Sequence, residues 1–377
     1  MARALTEGLV EHRRLPVAAS LKVRYLEYDP GTRLIVQYRV DAAGQSRDLV
    51  VDIGRSACEI AELVEQSPEC SDDGAIGDSV VALDDLGAVG AWYPVDLGLP
   101  ILATPESIAE LLDVEPAGAE RLAWVPQRRA VLGYGRAIVK VYDTVCAARS
   151  AADALSIFQD IMPTAALLAA PPDCGLVAQR RLAGRPLARG DAATTSEIAA
   201  GLLRRLHDAV SVDERPLSVV DPDVLLQTTS APRRLVSFAA PDLAARLARL
   251  AGTLIERRPN GLDLVPSHGD FNLGQLFETA DGVVVLDADT LCSAPRAFDV
   301  ASYAANLISG RRGDFQAAGE ALISLSDAYR RPIPGLDWYL AAMVMRRIDR
   351  PLRRLKRGWR DRTEEMISGL EARLGVG

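Results

Sequence analysis

His268-Gly-Asp270-Phe-Asn-Leu-Gly-Gln275, followed by Val283-Val-Val-Leu-Asp287-Ala-Asp289, places one candidate base and three metal-capable oxygen ligands within about twenty residues. The punctuation is a loop, an apolar strand and a second loop. Phosphoryl transfer asks little covalent chemistry of a protein: a carboxylate to hold the attacking hydroxyl, and oxygen ligands that fix magnesium on the nucleotide phosphates. Asp270 suits the first task, Gln275 and Asp287 the second. His268 would brace the loop by hydrogen bonding. Asp289 reads equally as a second metal-shell carboxylate or as a loop cap. Alone, a His-Gly-Asp turn or an Asp at a strand end is ordinary; together, in this order, they point to a phosphoryl-transfer site.

The block resembles the aminoglycoside phosphotransferase and choline kinase branch of the protein-kinase-like fold, which carries His-x-Asp-x-x-x-x-Asn and then an apolar strand ending in Asp. Downstream, Phe298-Asp299-Val-Ala resembles the family's Asp-Leu-Ala at the start of a helix. The resemblance implies an α+β fold: a bilobal kinase-like body with a small antiparallel β lobe, a larger mainly helical lobe, and an N-terminal α/β cap region like that of maltokinases. It implies ATP and magnesium as cofactors and a small-molecule hydroxyl as acceptor. Two positions depart from the pattern. Gln275 stands where Asn is usual, one methylene longer, and Ser293-Ala-Pro-Arg296 replaces Gly-Asp-Pro.

The elements that must position this block can be read from the rest of the chain. Tyr28-Asp-Pro30-Gly-Thr-Arg33 and Trp124-Val-Pro126-Gln-Arg-Arg129, ninety-six residues apart, share aromatic, Pro and Arg positions and both read as β-hairpins. The second leads into Gly135-Arg-Ala-Ile-Val-Lys140-Val-Tyr. A lysine among Ile and Val is costly unless its ammonium meets anions, and the resembling family puts a phosphate-binding lysine on the third small-lobe strand. Lys140 is therefore the phosphate candidate, with an edge-strand lysine in solvent as the competing reading. The matching strand after the first hairpin ends in Asp52, which would repel phosphate, so the nucleotide lobe is expected to begin near Glu115. With no Gly-x-Gly-x-x-Gly, the turn 125–129 would cover the nucleotide, and Arg128 and Arg129 are candidates to touch phosphate, with solvated turn arginines as the competing reading. Leu176-Val-Ala-Gln179 resembles the hinge strand, giving Gln179 as the cofactor-binding residue there. Asp153 and Asp160 are the only acids between Ala147 and Ile161 that could pair with Lys140.

Ser196 to His207 carries apolar residues at helical spacing, with His207 a helix-end packing residue. Helices are expected over 240–257 and from Phe298 onward. Met345 to Arg362 holds nine basic residues against two acids, expected as a solvated or partner-facing surface, with a minor alternative that its arginines face an acidic group of the substrate.

At 377 residues the chain exceeds the size of one core, about 250 to 300 residues. The expected organisation is a cap-like region over 1–114, a nucleotide-binding small lobe and hinge over 115–187, and a helical large lobe over 188–377. A net charge of -8 excludes a general nucleic-acid binder. No run approaches the roughly 20 apolar residues of a membrane span. Five cysteines without metal spacing, Cys58, Cys70, Cys146, Cys174 and Cys292, suggest a reduced cytoplasmic protein with buried thiols. The expected activity is an ATP- and magnesium-dependent phosphotransferase acting on a hydroxyl of an aminoglycoside-like antibiotic or amino sugar. The alternatives are a sugar or metabolite kinase of the same fold and an inactive nucleotide-binding pseudokinase.

Overall fold

The computed structural model describes residues 20–29, 32–42, 44–65, 80–83, 86–114, 119–187, 192–209, 217–310 and 315–376. The N-terminal start, the acidic stretch near 68–78, Cys70, and the boundaries expected at 114–115 and 188 lie wholly or partly outside these residues. The chain divides into two compact units. The first contains 1–148, 169–178 and 353–355, the second 149–168, 179–352 and 356–377.

The first unit is built on two five-stranded sheets. Alternating apolar residues make β1 (Ser20–Asp29), β2 (Arg33–Ala42) and β3 (Gln45–Ile53) an antiparallel meander. Helix α1 (Ala57–Glu65) follows, then β4 (Val80–Leu83) and β5 (Ala88–Trp92), in the order β1-β2-β3-β5-β4. After helix α2 (Pro105–Leu112) the same plan recurs. Strands β6 (Glu120–Val125), β7 (Arg129–Tyr134) and β8 (Ala137–Tyr142) are followed in sequence by helix α3 (Val145–Ile161), which belongs to the second unit from Arg149 on, then β9 (Leu167–Ala169) and β10 (Leu176–Arg180), which the division cuts at 168/169 and 178/179; the sheet order is β6-β7-β8-β10-β9. Both hairpin turns close on the same register: Asp29 pairs with Arg33, and Val125 with Arg129. The likeness of the two hairpins thus extends to strand order and helix placement.

The register identifies equivalent positions. Lys140 lies opposite Val131 on β7, and ninety-six residues earlier the partner of Ile35 on β2 is Asp52. A buried carboxylate therefore occupies the first sheet where the second carries its lysine. Asp52 is fully buried and takes a two-pronged contact from Arg33 (Nε to Oδ1 2.8 Å, Nη2 to Oδ2 2.6 Å), with Arg55 Nε donating at 3.0 Å. Burial alone would push its carboxyl up, but the two guanidiniums outweigh this and hold it below the usual range.

The second unit is mainly helical. Helix α4 (Ala192–His207), α5 (Pro222–Thr228), α6 (Ser230–Ala239) and α7 (Ala244–Glu256) precede the loop block, and α8 (Ala297–Ser309), α9 (Phe315–Tyr329), α10 (Leu336–Met345), α11 (Arg350–Arg353) and α12 (Trp359–Leu374) follow it. Asp221 caps α5 by accepting from Val224 N–H at 2.9 Å, and Pro222 opens its first turn. Helix α10 is apolar all round and buried over Trp338–Met345, so it runs through the core rather than along a surface. Short strands fix the loops: β11 (Arg185–Pro186) pairs with β13 (Leu276–Thr279), β13 with β14 (Gly282–Val285), and β12 (Leu264–Ser267) with β15 (Cys292–Pro295).

Among the described residues no helix is long and apolar enough to cross a membrane. Among the described residues the expectation of buried thiols holds only for Cys292; Cys58 and Cys146 are exposed and Cys174 is partly buried. Cys58 lies on the first helix and Cys146 at the start of α3, where a small thiol is tolerated at the surface.

Candidate active site

Strand β12 delivers His268 and Asp270, and β14 delivers Asp287. The loop between them is shaped by its own side chains. Asn272 accepts from Gly274 N–H at 2.9 Å and donates to the Asp270 carbonyl at 2.8 Å, while Gln275 N–H closes a short turn on Asn272 O at 3.0 Å. Leu286 N–H donates to Gln275 O at 2.8 Å, which sets Gln275 beside the residue after Leu286. The Gln275 amide nitrogen accordingly donates to Asp287 Oδ2 at 3.2 Å.

His268 ties the two loops together. Its Nε2 donates to Leu286 O at 2.9 Å, leaving Nδ1 to accept from Asp270 N–H at 3.4 Å. Phe158 and Phe271 pack edge-on to the ring, at 5.6 and 5.9 Å between centroids. Gly269 has φ +87°, and a Cβ there would collide with the Thr290 backbone, so only glycine suits this position. Thr290 in turn donates from Oγ1 to His268 O at 2.8 Å. Asp287 holds a left-handed backbone (φ 64°), uncommon for a residue with a side chain and typical of functional loops.

Beneath the loop lies Asp299, fully buried near the start of α8. Its two oxygens accept from His268 N–H at 2.7 Å and Gly269 N–H at 3.0 Å. His207, the last residue of α4, reaches the same carboxylate at 3.4 Å and Tyr329 Oη at 2.7 Å on its other ring nitrogen. His207 is thus at a helix end, as its sequence position suggests, but it also contacts the carboxylate that holds the His268–Asp270 loop.

Arg347 escaped the sequence reading. The basic run 345–362 suggested a solvated surface, yet Arg347 follows the buried helix α10 and is only 4% exposed. Its Nη2 donates to Asp270 Oδ1 at 2.8 Å and to Ser302 Oγ at 2.9 Å, and its Nη1 to Met343 O at 3.2 Å. Burial pushes its proton affinity down to about 9, with Arg350 and Arg346 adding repulsion and Asp270 opposing it. It remains charged at neutral pH, fixed to a carboxylate that is itself about a third exposed.

Magnesium is usually held by one or two protein oxygens plus phosphate oxygens and waters. Asp287 with the adjacent Gln275 amide offers that donor set, provided the amide turns to present Oε1; amide orientation follows the hydrogen-bond network. Among the described residues no three His, Cys, Asp or Glu side chains form a metal cage. Asp289 sits on the short turn Ala288–Thr290, partly buried.

In the first unit Lys140 is on β8, an inner strand, and is 5% exposed, so it is not a solvated edge lysine. Ala130, Leu132, Val139 and Val141 face the core of their sheet, which by alternation leaves Arg129 and Lys140 together on the other face. The turn 125–129 contacts the first sheet and the segment that follows it. Gln127 is buried with φ 60°, its N–H donating to both oxygens of Asp96 at 3.1 and 2.9 Å and its side chain to Asp52 at 3.2 Å, while Arg128 pairs with Glu27 at 3.0 Å. Asp153 and Asp160, the acids on α3, are both exposed. Gln179 is buried on β10, within the second unit.

Comparison with known proteins gives this geometry a family. The model of the phosphotransferase enzyme family (APH) matches residues 126–334, more than half of the chain. Similar solved structures include aminoglycoside phosphotransferase APH(3'')-Id from Streptomyces rimosus ATCC10970 in complex with ADP and streptomycin (TM-score 0.50, 19% identity, 64% of this chain and 98% of that one). Choline kinase LicA from Streptococcus pneumoniae is similar at TM-score 0.51 and 15% identity, over 71% of this chain and 97% of that one. Choline kinase from Cryptosporidium parvum Iowa II has TM-score 0.52 and 10% identity, over 72% and 95%. No curated protein matches the chain. The chain belongs to the phosphotransferase enzyme family, has its protein-kinase-like fold, and is a phosphotransferase.

Proposed function

We propose that the chain transfers the terminal phosphoryl group of ATP, with magnesium, to a hydroxyl of a small molecule in the cytoplasm. The observation that carries this reading is the joined loop pair: Asp270 is presented by the His268 turn, and Gln275 sits on Asp287 at 3.2 Å. Asp270 would accept or orient the hydroxyl proton, and Asp287, Gln275 and Asp289 would hold the metal, which supplies charge neutralisation on the phosphates. Lys140 and Arg129 would bind phosphate, and Gln179 would lie in the hinge strand. We assign residues 1–114 as a cap, 115–187 as nucleotide lobe and hinge, and 188–377 as the large lobe.

For the acceptor, an aminoglycoside-like antibiotic or amino sugar is one reading, in line with the streptomycin in the S. rimosus structure. Arg347 favours the second, a sugar or metabolite kinase. A guanidinium at 2.8 Å from the base, with Arg346 and Arg350 near it, repels a polycation and tolerates a neutral acceptor. Measuring ADP release against panels of aminoglycosides and of neutral sugars separates the two. Turnover confined to aminoglycosides would refute the preference for neutral acceptors, and Asp270→Asn should abolish whichever activity appears.

A further inference from the structure

The second unit holds a cavity of about 470 Å³ between α3, the segment 217–228 and the turn 289–292. That volume lies in the range of small-molecule sites, about 300 to 1,000 Å³. Asp270, Gln275 and Asp287 do not line it, while Gly269 and Asp289 of the candidate site lie on its wall. Ile157, Val220, Val224, Leu225, Leu291 and Phe298 supply apolar walls. Three charged side chains join them: Asp153, Asp289 and Arg346.

These charges are not equivalent. Asp153 is exposed and already solvated, and Asp289 has an interaction of its own. Arg346 is partly buried, and among the described residues its guanidinium makes no hydrogen bond or ion pair. A guanidinium taken partly out of water without an acceptor is the group that gains most from a ligand, and its planar fork matches a carboxylate. An anion at Arg346 would also relieve its repulsion of the adjacent Arg347.

We propose that this cavity is a second binding site, for a small amphipathic carboxylate whose apolar body lies against Phe298 and Val224 and whose carboxylate is held by Arg346. The cavity borders the proposed phosphotransfer site through Asp289, but its test reads binding and requires no turnover, so the two readings can fail separately.

Calorimetric titration of the full chain with 4-phenylbutyrate, 4-phenylbutylamine and 4-phenylbutan-1-ol tests it. The carboxylate should bind at least about tenfold tighter than the other two, and Arg346→Met should reduce it to the affinity of the alcohol. Val224 is 38% exposed, so Val224→Trp fills the cavity from its outer side without entering the core and should remove binding of all three. Tightest binding of the amine, unchanged carboxylate affinity in Arg346→Met, or no binding of any probe to the unaltered chain would overturn the proposal.

Discussion

Asp270 is the proposed base, and Arg347 holds its carboxylate. Replacing Asp270 by Asn keeps its shape but removes the acceptor of the hydroxyl proton, so turnover should fall on the order of a hundredfold or more while ATP binding persists. Steady-state kinetics alongside nucleotide titration checks both halves. Arg347→Met keeps the buried volume but frees the Asp270 carboxylate; turnover should drop about tenfold or more with the ATP Michaelis constant little changed, and Arg347→Lys should restore part of the loss. An unaltered turnover in Arg347→Met would show that the guanidinium is only structural. The sequence made Asp270, Gln275 and Asp287 legible because they lie within one short block whose order is itself informative. Arg347 was illegible because its partner is 77 residues away and its neighbours form a basic run whose composition suggests a wet surface.

At the level of elements, the His268–Asp270 loop is held from below by one carboxylate, Asp299. Asp299→Asn replaces one of two acceptors for the His268 and Gly269 amides with a donor, which should lower the melting temperature and cost at least about tenfold in turnover. The first sheet presents the reverse case, a charge used for structure. Asp52→Asn removes the anion that Arg33, Arg55 and Gln127 converge on, and should destabilise the first unit by roughly 2–3 kcal/mol, less than a wholly buried pair because both guanidiniums are partly exposed. Because the folded carboxyl titrates lower than the unfolded one, its contribution is complete above about pH 4 and is lost as pH falls through the folded value. Denaturant titrations at pH 7 and in acid should therefore show the mutational gap closing in acid. The paired hairpins were visible in the sequence through their shared Pro, Arg and aromatic spacing. The shared strand order was not, since it depends on β5 and β10 inserting inside the sheet edge, which no local pattern encodes.

The whole chain couples a family domain over 126–334 to an earlier sheet outside that match. From inside the match Gln127 donates its N–H to Asp96 and its side chain to Asp52, and just ahead of the match Trp124 Nε1 donates to Asp96 (2.8 Å) and Arg121 to Asp48. Removing residues 1–114 would strip Gln127 and Trp124 of Asp96, so the remaining chain should melt earlier and less cooperatively in calorimetry. The family itself was legible from a few motif residues, but the acceptor was not, because pockets are assembled from distant segments with no shared spacing. The central claim, phosphoryl transfer governed by Asp270, is tested most directly with γ-labelled ATP and a panel of hydroxyl compounds, comparing the unaltered chain with Asp270→Asn. Magnesium-dependent labelling of an acceptor that falls about a hundredfold in the variant is the predicted result; labelling at the same rate by both proteins would contradict it.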